Sequence, residues 1–167
     1  IQVAASFGVD KIRITGGEPL LRRGVESLIS KIAAIDLIRD LSLTTNGTHF
    51  PRLAKRLKEA GLGRVTISLD SLDRDNFKNI TGRDRLAEVL KSISLAKSIG
   101  LTPLKVNAVI IRGLNDHEIV RLAKFALDED IVMRFIEFMP LDSRKAWCRD
   151  HVVTGSEILR QIQSKYP

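Results

Sequence analysis

Lys11, Arg13 and Thr15 stand at alternate positions of the segment Lys11-Ile-Arg-Ile-Thr-Gly-Gly-Glu-Pro-Leu20. A strand sends successive side chains to opposite faces, so these three share one face and Ile12 and Ile14 the other. Parallel strands covered by helices are normally apolar on both faces. A row of cations there suits a bound anion. Lys105 and Asn107 repeat the pattern against Leu104, Val106 and Ala108, and Arg134 brings a basic side chain to a third strand, between Met133 and Phe135. Ser68, between Ile67 and Leu69, shares a face with Thr66 and points to the side that Arg13 faces. A buried cation without a counter-ion is destabilising by roughly several kcal/mol, so these groups need either an anionic ligand or internal carboxylates such as Glu137. Few acidic residues lie on the strand faces, which favours the ligand.

The remaining chemistry lies in short loops. Gly16-Gly17 exposes backbone amides to a close-approaching ligand, and Glu18 can accept hydrogen bonds from an ammonium group; a tight strand-to-helix turn explains the same residues equally well. Thr44-Thr-Asn-Gly47 reads alone as an Asx-type turn. Asp70 and Ser71 read as caps of the segment after them. Met139, beyond a strand, is either core or the lining of an adenine-sized slot. His117 and His151 have no metal-ligand spacing and read as surface residues, and Cys148 has no base paired with it by spacing.

Apolar runs of strand length alternate with helical periodicity. The pattern predicts strands at Lys11–Thr15, Leu41–Thr45, Arg64–Leu69, Leu104–Ile111 and Ile131–Phe135. Helices are expected at Val25–Ala34, Pro51–Ala60 and Arg85–Ile99, then from a cap at Asp116 to about Leu127, and finally after Thr154 with Glu157 three residues on. A helix ending near Phe7 opens the chain and a polar stretch spans Leu141–Val153. This is an α/β protein with a parallel sheet and outer helices, too short for a closed eight-stranded barrel and so an open, partial TIM-type one. Every distinctive motif falls at a strand's C-terminal end, where such sheets bind ligands.

Composition narrows the partners. The chain has 167 residues and a net charge of +7, a sign that suits nucleic acid, lipid headgroups or a phosphorylated small molecule alike. Only 5% of residues are aromatic, which leaves little for unstacked bases to stack on. No apolar run approaches the roughly 20 residues that span a bilayer, so a cytoplasmic protein without membrane contact is expected. A single cysteine excludes an internal disulfide and any site built from several thiolates of this chain. The first residue is not Met, and the chain is expected to be part of a longer polypeptide.

Ile-Thr-Gly-Gly-Glu-Pro-Leu-Leu-Arg at 14–22, Leu-Thr-Thr-Asn-Gly at 43–47, Ser-Leu-Asp-Ser at 68–71, Lys-Val-Asn-Ala-Val at 105–109, Gly-Leu-Asn-Asp at 113–116 and Arg-Phe-Ile-Glu-Phe-Met-Pro-Leu at 134–141 occur in this order. Together they resemble the radical S-adenosylmethionine (SAM) enzymes of molybdenum cofactor biosynthesis, the A-protein family of GTP 3′,8-cyclases. The resemblance implies that Gly16, Gly17 and Glu18 meet the amino acid end of SAM, that Ser68 hydrogen-bonds it and that Met139 lies against its adenine. It implies that Arg13, Thr44 and Lys105 bind GTP, with Lys11 and Arg134 as further partners of its phosphates. In the family a 5′-deoxyadenosyl radical takes hydrogen from the GTP ribose 3′ carbon, which then bonds to guanine C8. Two 4Fe-4S clusters serve such an enzyme, and the cysteines that hold them, including the Cys-x-x-x-Cys-x-x-Cys motif, are absent here. The resemblance thus implies residues 1–167 as the central part of a radical SAM core, without catalytic residues or metal ligands of its own, inactive alone, and compatible with a homodimer. Competing readings are a peptide-modifying radical SAM enzyme, a barrel aldolase using Lys105 as a Schiff-base nucleophile, and a basic nucleic-acid-binding module.

Overall fold

A computed structural model describes residues 1–140 and 147–166. The elements run α1 (Gln2–Ser6), β1 (Lys11–Ile14), α2 (Val25–Ala33), β2 (Asp40–Thr45), α3 (Phe50–Glu59), β3 (Arg64–Ser68), α4 (Arg74–Thr81), α5 (Leu86–Ser98), β4 (Lys105–Ile110), α6 (Ile119–Asp128), β5 (Val132–Glu137) and α7 (Gly155–Gln163), with short 3-10 turns between some of them. The strands form one open parallel sheet in the order β1-β2-β3-β4-β5. Consecutive strands lie side by side, the common arrangement of successive strand-helix-strand units. This is the fold class expected from the alternating periodicities.

The chain divides into two compact units. The first comprises Ile1–Ser68 and Ala87–Lys105. Its core forms on one face of β2 and β3, where Leu41, Leu43, Val65 and Ile67 are buried. The helices meet that core with apolar residues at helical spacing: Val25, Ile29 and Ile32 of α2, Phe50, Ala54 and Leu57 of α3, and Val89, Ile93 and Ala96 of α5. The second unit comprises Leu69–Leu86 and the chain from Val106 onward. Its core gathers Ala108 and Ile110 of β4, Ile119 and Leu122 of α6, Val153, and Ile158 of α7, with Met133 and Phe135 of β5 packed against them.

Several boundaries differ from the expectation. β1 stops at Ile14, so Thr15 belongs to the loop, and β2 starts at Asp40, one residue early. α4 is an additional helix between Asp73, whose side chain accepts the Asn76 N–H, and Gly82, which closes it in the left-handed conformation. Asp70 and Ser71 therefore do not cap this segment; Asp73 does. Asp116 does not cap an α-helix either. It starts a 3-10 turn, its carboxylate accepts the Gly113 N–H at 2.9 Å, and α6 begins only at Ile119. Thr154 caps α7 as expected, in a capping box with Glu157. Leu141, the last residue of the sixth motif, and the start of the polar stretch at 141–153 lie outside the described residues.

Candidate functional site

In the first unit the strand register sets Lys11 beside Asp40, Arg13 beside Ser42, Ser42 beside Arg64 and Thr44 beside Thr66. Register and alternation together give one face to Lys11, Arg13, Asp40, Ser42, Thr44, Arg64, Thr66 and Ser68, opposite the apolar face that the helices cover. The structure thus places the predicted residues Lys11, Arg13, Thr44 and Ser68 on one sheet face. Lys105, at the start of β4, belongs to the same unit, and its charge reaches Asp40.

Two features of this face were not expected. The Asp40 carboxylate accepts hydrogen bonds from Arg64 Nε at 2.9 Å and from Arg64 Nη2, a bidentate ion pair diagonal across β2 and β3. Arg64 holds the Asp40 carboxyl below its ordinary value, and the charges of Lys11 and Lys105 act in the same direction. An internal counter-ion therefore sits among the cations. Alternation from Thr66 and Ser68 back along β3 reaches Arg64, an available signal that went unused, and Asp40 was hidden by the misplaced start of β2. The second correction concerns burial: Lys11 and Arg13 are exposed, because β1 is the outermost strand of the sheet. The desolvation argument for an obligatory anion does not apply to them. What remains is that, among the described residues, neither forms an ion pair within 4.0 Å, the limit that the pairs of the molecule meet.

The loop after β1 is held by Glu18. Its Oε1 accepts the Leu20 N–H at 3.0 Å and the Thr45 hydroxyl at 2.7 Å, and Oε2 accepts the Asn46 N–H at 2.8 Å. The carboxylate thus ties the end of β1 to the end of β2 and leaves acceptor capacity on Oε2. Asn46 closes the expected Asx turn, its Oδ1 accepting the Thr48 N–H at 3.0 Å. Gly16 has φ of +145°, open only to glycine, and a Cβ added at Gly16 or Gly17 would meet no protein atom within 4 Å. Space beside this backbone is open, as a close-approaching ligand requires.

The second unit holds Arg134, half-buried on β5, and Met139, 49% exposed beyond it. Glu137 does not pair with Arg134; it accepts the Gly155 N–H at 2.6 Å. Glu118 is a buried hub that sequence reading missed. Its carboxylate accepts from Ser71 Oγ at 2.5 Å, Asn76 Nδ2 at 2.7 Å and the Leu72 N–H at 2.8 Å. Burial pushes its carboxyl upward, but these donors outweigh burial and hold it below the usual value. Asp70 is the opposite case: burial raises it, and the Val109 N–H at 2.8 Å only partly offsets that. His117 and His151 are exposed, as expected, and Cys148 is exposed as well.

The open Gly16-Gly17 backbone, the Oε2 capacity of Glu18 and the Ser68 hydroxyl fit the polar end of an amino-acid-bearing cofactor such as SAM. Iron–sulfur clusters do not fit this chain. It has one cysteine, and among the described residues no three His, Cys, Asp or Glu side chains cluster as metal ligands. No described helix is long and apolar enough to cross a membrane.

A sequence profile of the radical SAM superfamily matches residues 1–126. A GTP 3′,8-cyclase of Streptomyces coelicolor is 45% identical over 161 residues, covering 96% of this chain and 47% of that protein. A GTP 3′,8-cyclase of Alkaliphilus oremlandii is 43% identical over 167 residues, covering all of this chain and 52% of its own length. The chain thus spans about half the length of the curated relatives it matches. Among solved structures, SuiB of Streptococcus suis bound to S-adenosylmethionine superposes with a TM-score of 0.77 over 98% of this chain and 37% of its own, at 19% identity. The radical SAM enzyme coproporphyrinogen III oxidase of Escherichia coli gives 0.61 over 93% and 39%, at 15% identity. At such identities the superpositions speak for the fold alone. By the profile match over three quarters of its length, with the open parallel sheet and glycine loop to go with it, the chain belongs to the radical SAM superfamily.

Proposed function

We propose that the protein carrying this chain is a radical SAM GTP 3′,8-cyclase of molybdenum cofactor biosynthesis, a lyase converting GTP to (8S)-3′,8-cyclo-7,8-dihydroguanosine 5′-triphosphate. The observation that carries the reading is the gathering of Lys11 and Arg13 with Thr44 and Ser68 on one sheet face, beside an open glycine loop. Such a face suits a polyanion next to a small polar cofactor. Relatives of 43–45% identity named for this activity support the same substrate.

In this reading the chain is the central part of a radical SAM core, and its residues bind and orient. Gly16 and Gly17 offer amides, and Glu18 an acceptor, to the amino acid end of SAM; Ser68 hydrogen-bonds the cofactor and Met139 covers its adenine. When bound, SAM supplies the radical chemistry that removes hydrogen from the ribose. Arg13, Thr44 and Lys105, with Lys11 and Arg134, hold GTP so that its ribose faces that chemistry. Their contribution is positioning, which suppresses competing reactions without proton transfer by the protein. The two 4Fe-4S clusters of such an enzyme find no cysteine set in this chain to hold them. The partner is GTP, not nucleic acid or a membrane; the setting is the cytoplasm, and a homodimer is compatible with it.

The test uses the full-length protein. Arg13→Ala and Lys105→Ala are each expected to weaken GTP binding by about tenfold or more, the loss of one charge-assisted contact, while SAM cleavage uncoupled from GTP stays measurable. Unchanged GTP affinity in both variants removes the reading.

A further inference from the structure

The ion pair between Asp40 and Arg64 lies among the residues just assigned to the nucleotide, yet none of those assignments uses it. Ligands of such sheets enter at the C-terminal ends of the strands. From the glycine loop, the shared face of β1 and β2 descends first to Arg13 beside Ser42, then to Lys11 beside Asp40. Two residues of strand advance about 6.6 Å per step. A phosphate chain entering from the loop therefore meets cations until the level of Lys11, where it meets a carboxylate.

Asp40 also determines what Arg64 can do. A guanidinium whose Nε and Nη2 both donate to one carboxylate has its fork edge taken, so Arg64 cannot offer it to a ligand. The pair is not core filling. Both side chains keep about a quarter of their surface exposed, 24% for Arg64 and 23% for Asp40, and they line an open recess of about 320 Å³ with Arg39 and Thr102. Substitution there leaves no buried void.

We propose that Asp40 is a specificity-determining residue that ends the phosphate row: its carboxylate withdraws Arg64 from ligand binding and repels any phosphate beyond the level of Lys11. The inference rests on the GTP reading above and deepens it. The site then accepts a triphosphate and gains nothing from a longer chain.

The test measures the affinities of the full-length protein for GTP, guanosine 5′-tetraphosphate and inorganic tripolyphosphate. The native protein is expected to bind the tetraphosphate no more tightly than GTP. Asp40→Asn removes the repulsion and frees Arg64, so tripolyphosphate binds about fivefold more tightly and the tetraphosphate gains more, about tenfold, since the electrostatic gain rises with ligand charge. Arg64→Gln alone leaves Asp40 uncompensated and weakens all three ligands. The double variant Asp40→Asn/Arg64→Gln removes one charge of each sign and returns the affinities toward native values. A folded Asp40→Asn protein with an unchanged ratio of tetraphosphate to GTP affinity overturns the proposal. So does a double variant as weak as Arg64→Gln alone, which would make Arg64 a direct ligand; this comparison holds even if Asp40→Asn does not fold. Both failures leave the nucleotide reading intact when Arg13→Ala still weakens GTP. Unchanged GTP affinity in both Arg13→Ala and Lys105→Ala overturns both.

Discussion

Both oxygens of Glu18 are engaged by the protein itself, so this residue serves the fold before it serves any ligand. Thr45, its partner on β2, is only 3% exposed, and without Glu18 its buried hydroxyl loses its carboxylate acceptor. Glu18→Ala is therefore expected to lower the free energy of unfolding by about 1–3 kcal/mol, as for a buried polar group left unsatisfied. Urea unfolding checks this; a midpoint equal to the native one would restrict Glu18 to ligand contact. At this scale the sequence was legible wherever alternation alone decides direction. Lys11, Arg13 and Ser68 follow from counting by two along a strand. Glu118 does not, because its partners Ser71 and Leu72 lie 47 and 46 residues away and only the tertiary fold brings them together.

The elements show where periodicity works and where it stops. α2, α3 and α6 present buried residues at three- and four-residue spacing, and all three were readable. α4 was not, since Phe77 is its one buried residue and its polar turns carry no apolar stripe. Asp73 and Gly82, a cap and a left-handed stop, were the signals available. The start of β2 had the larger consequence: a one-residue error excluded Asp40 from the strand and so hid the carboxylate on the cationic face. α7 offers a test of its own capping. The Thr154 N–H, then Arg112 and the Thr154 hydroxyl, hold the half-buried Glu157 carboxyl down from 4.5 to about 2. A depressed folded value contributes stability that is complete above the unfolded value and lost as pH falls through the folded one. Glu157→Gln should accordingly lower the melting temperature above pH 4.5, and the gap between native and variant should close as pH falls toward about 2. A gap that stays constant across that window would separate the capping box from the charge of Glu157.

For the molecule as a whole, the net charge of +7 left nucleic acid and nucleotide equally open. Part of the basic surface is matched locally, in pairs such as Lys124 with Asp128, Arg74 with Asp84 and Arg112 with Glu157. Pairs of this exposed kind add little stability, but they divide the surface into small fields of alternating sign. Lys11 and Arg13 are exposed cations that share one sheet face and have no ion-pair partner among the described residues. The charge that matters for binding is then local, and its salt response distinguishes the partners. Screening shortens the reach of exposed charges from about 8 Å at physiological ionic strength to about 3 Å at 1 M. GTP affinity of the full-length protein is expected to fall about tenfold over that range, against a much smaller change for SAM, which carries charges of both signs. Random-sequence duplex DNA at physiological salt should not displace a fluorescent GTP analogue, because duplex binding needs several phosphate contacts spread along a surface. Displacement of the analogue by DNA at micromolar concentration would reassign the cationic face to nucleic acid.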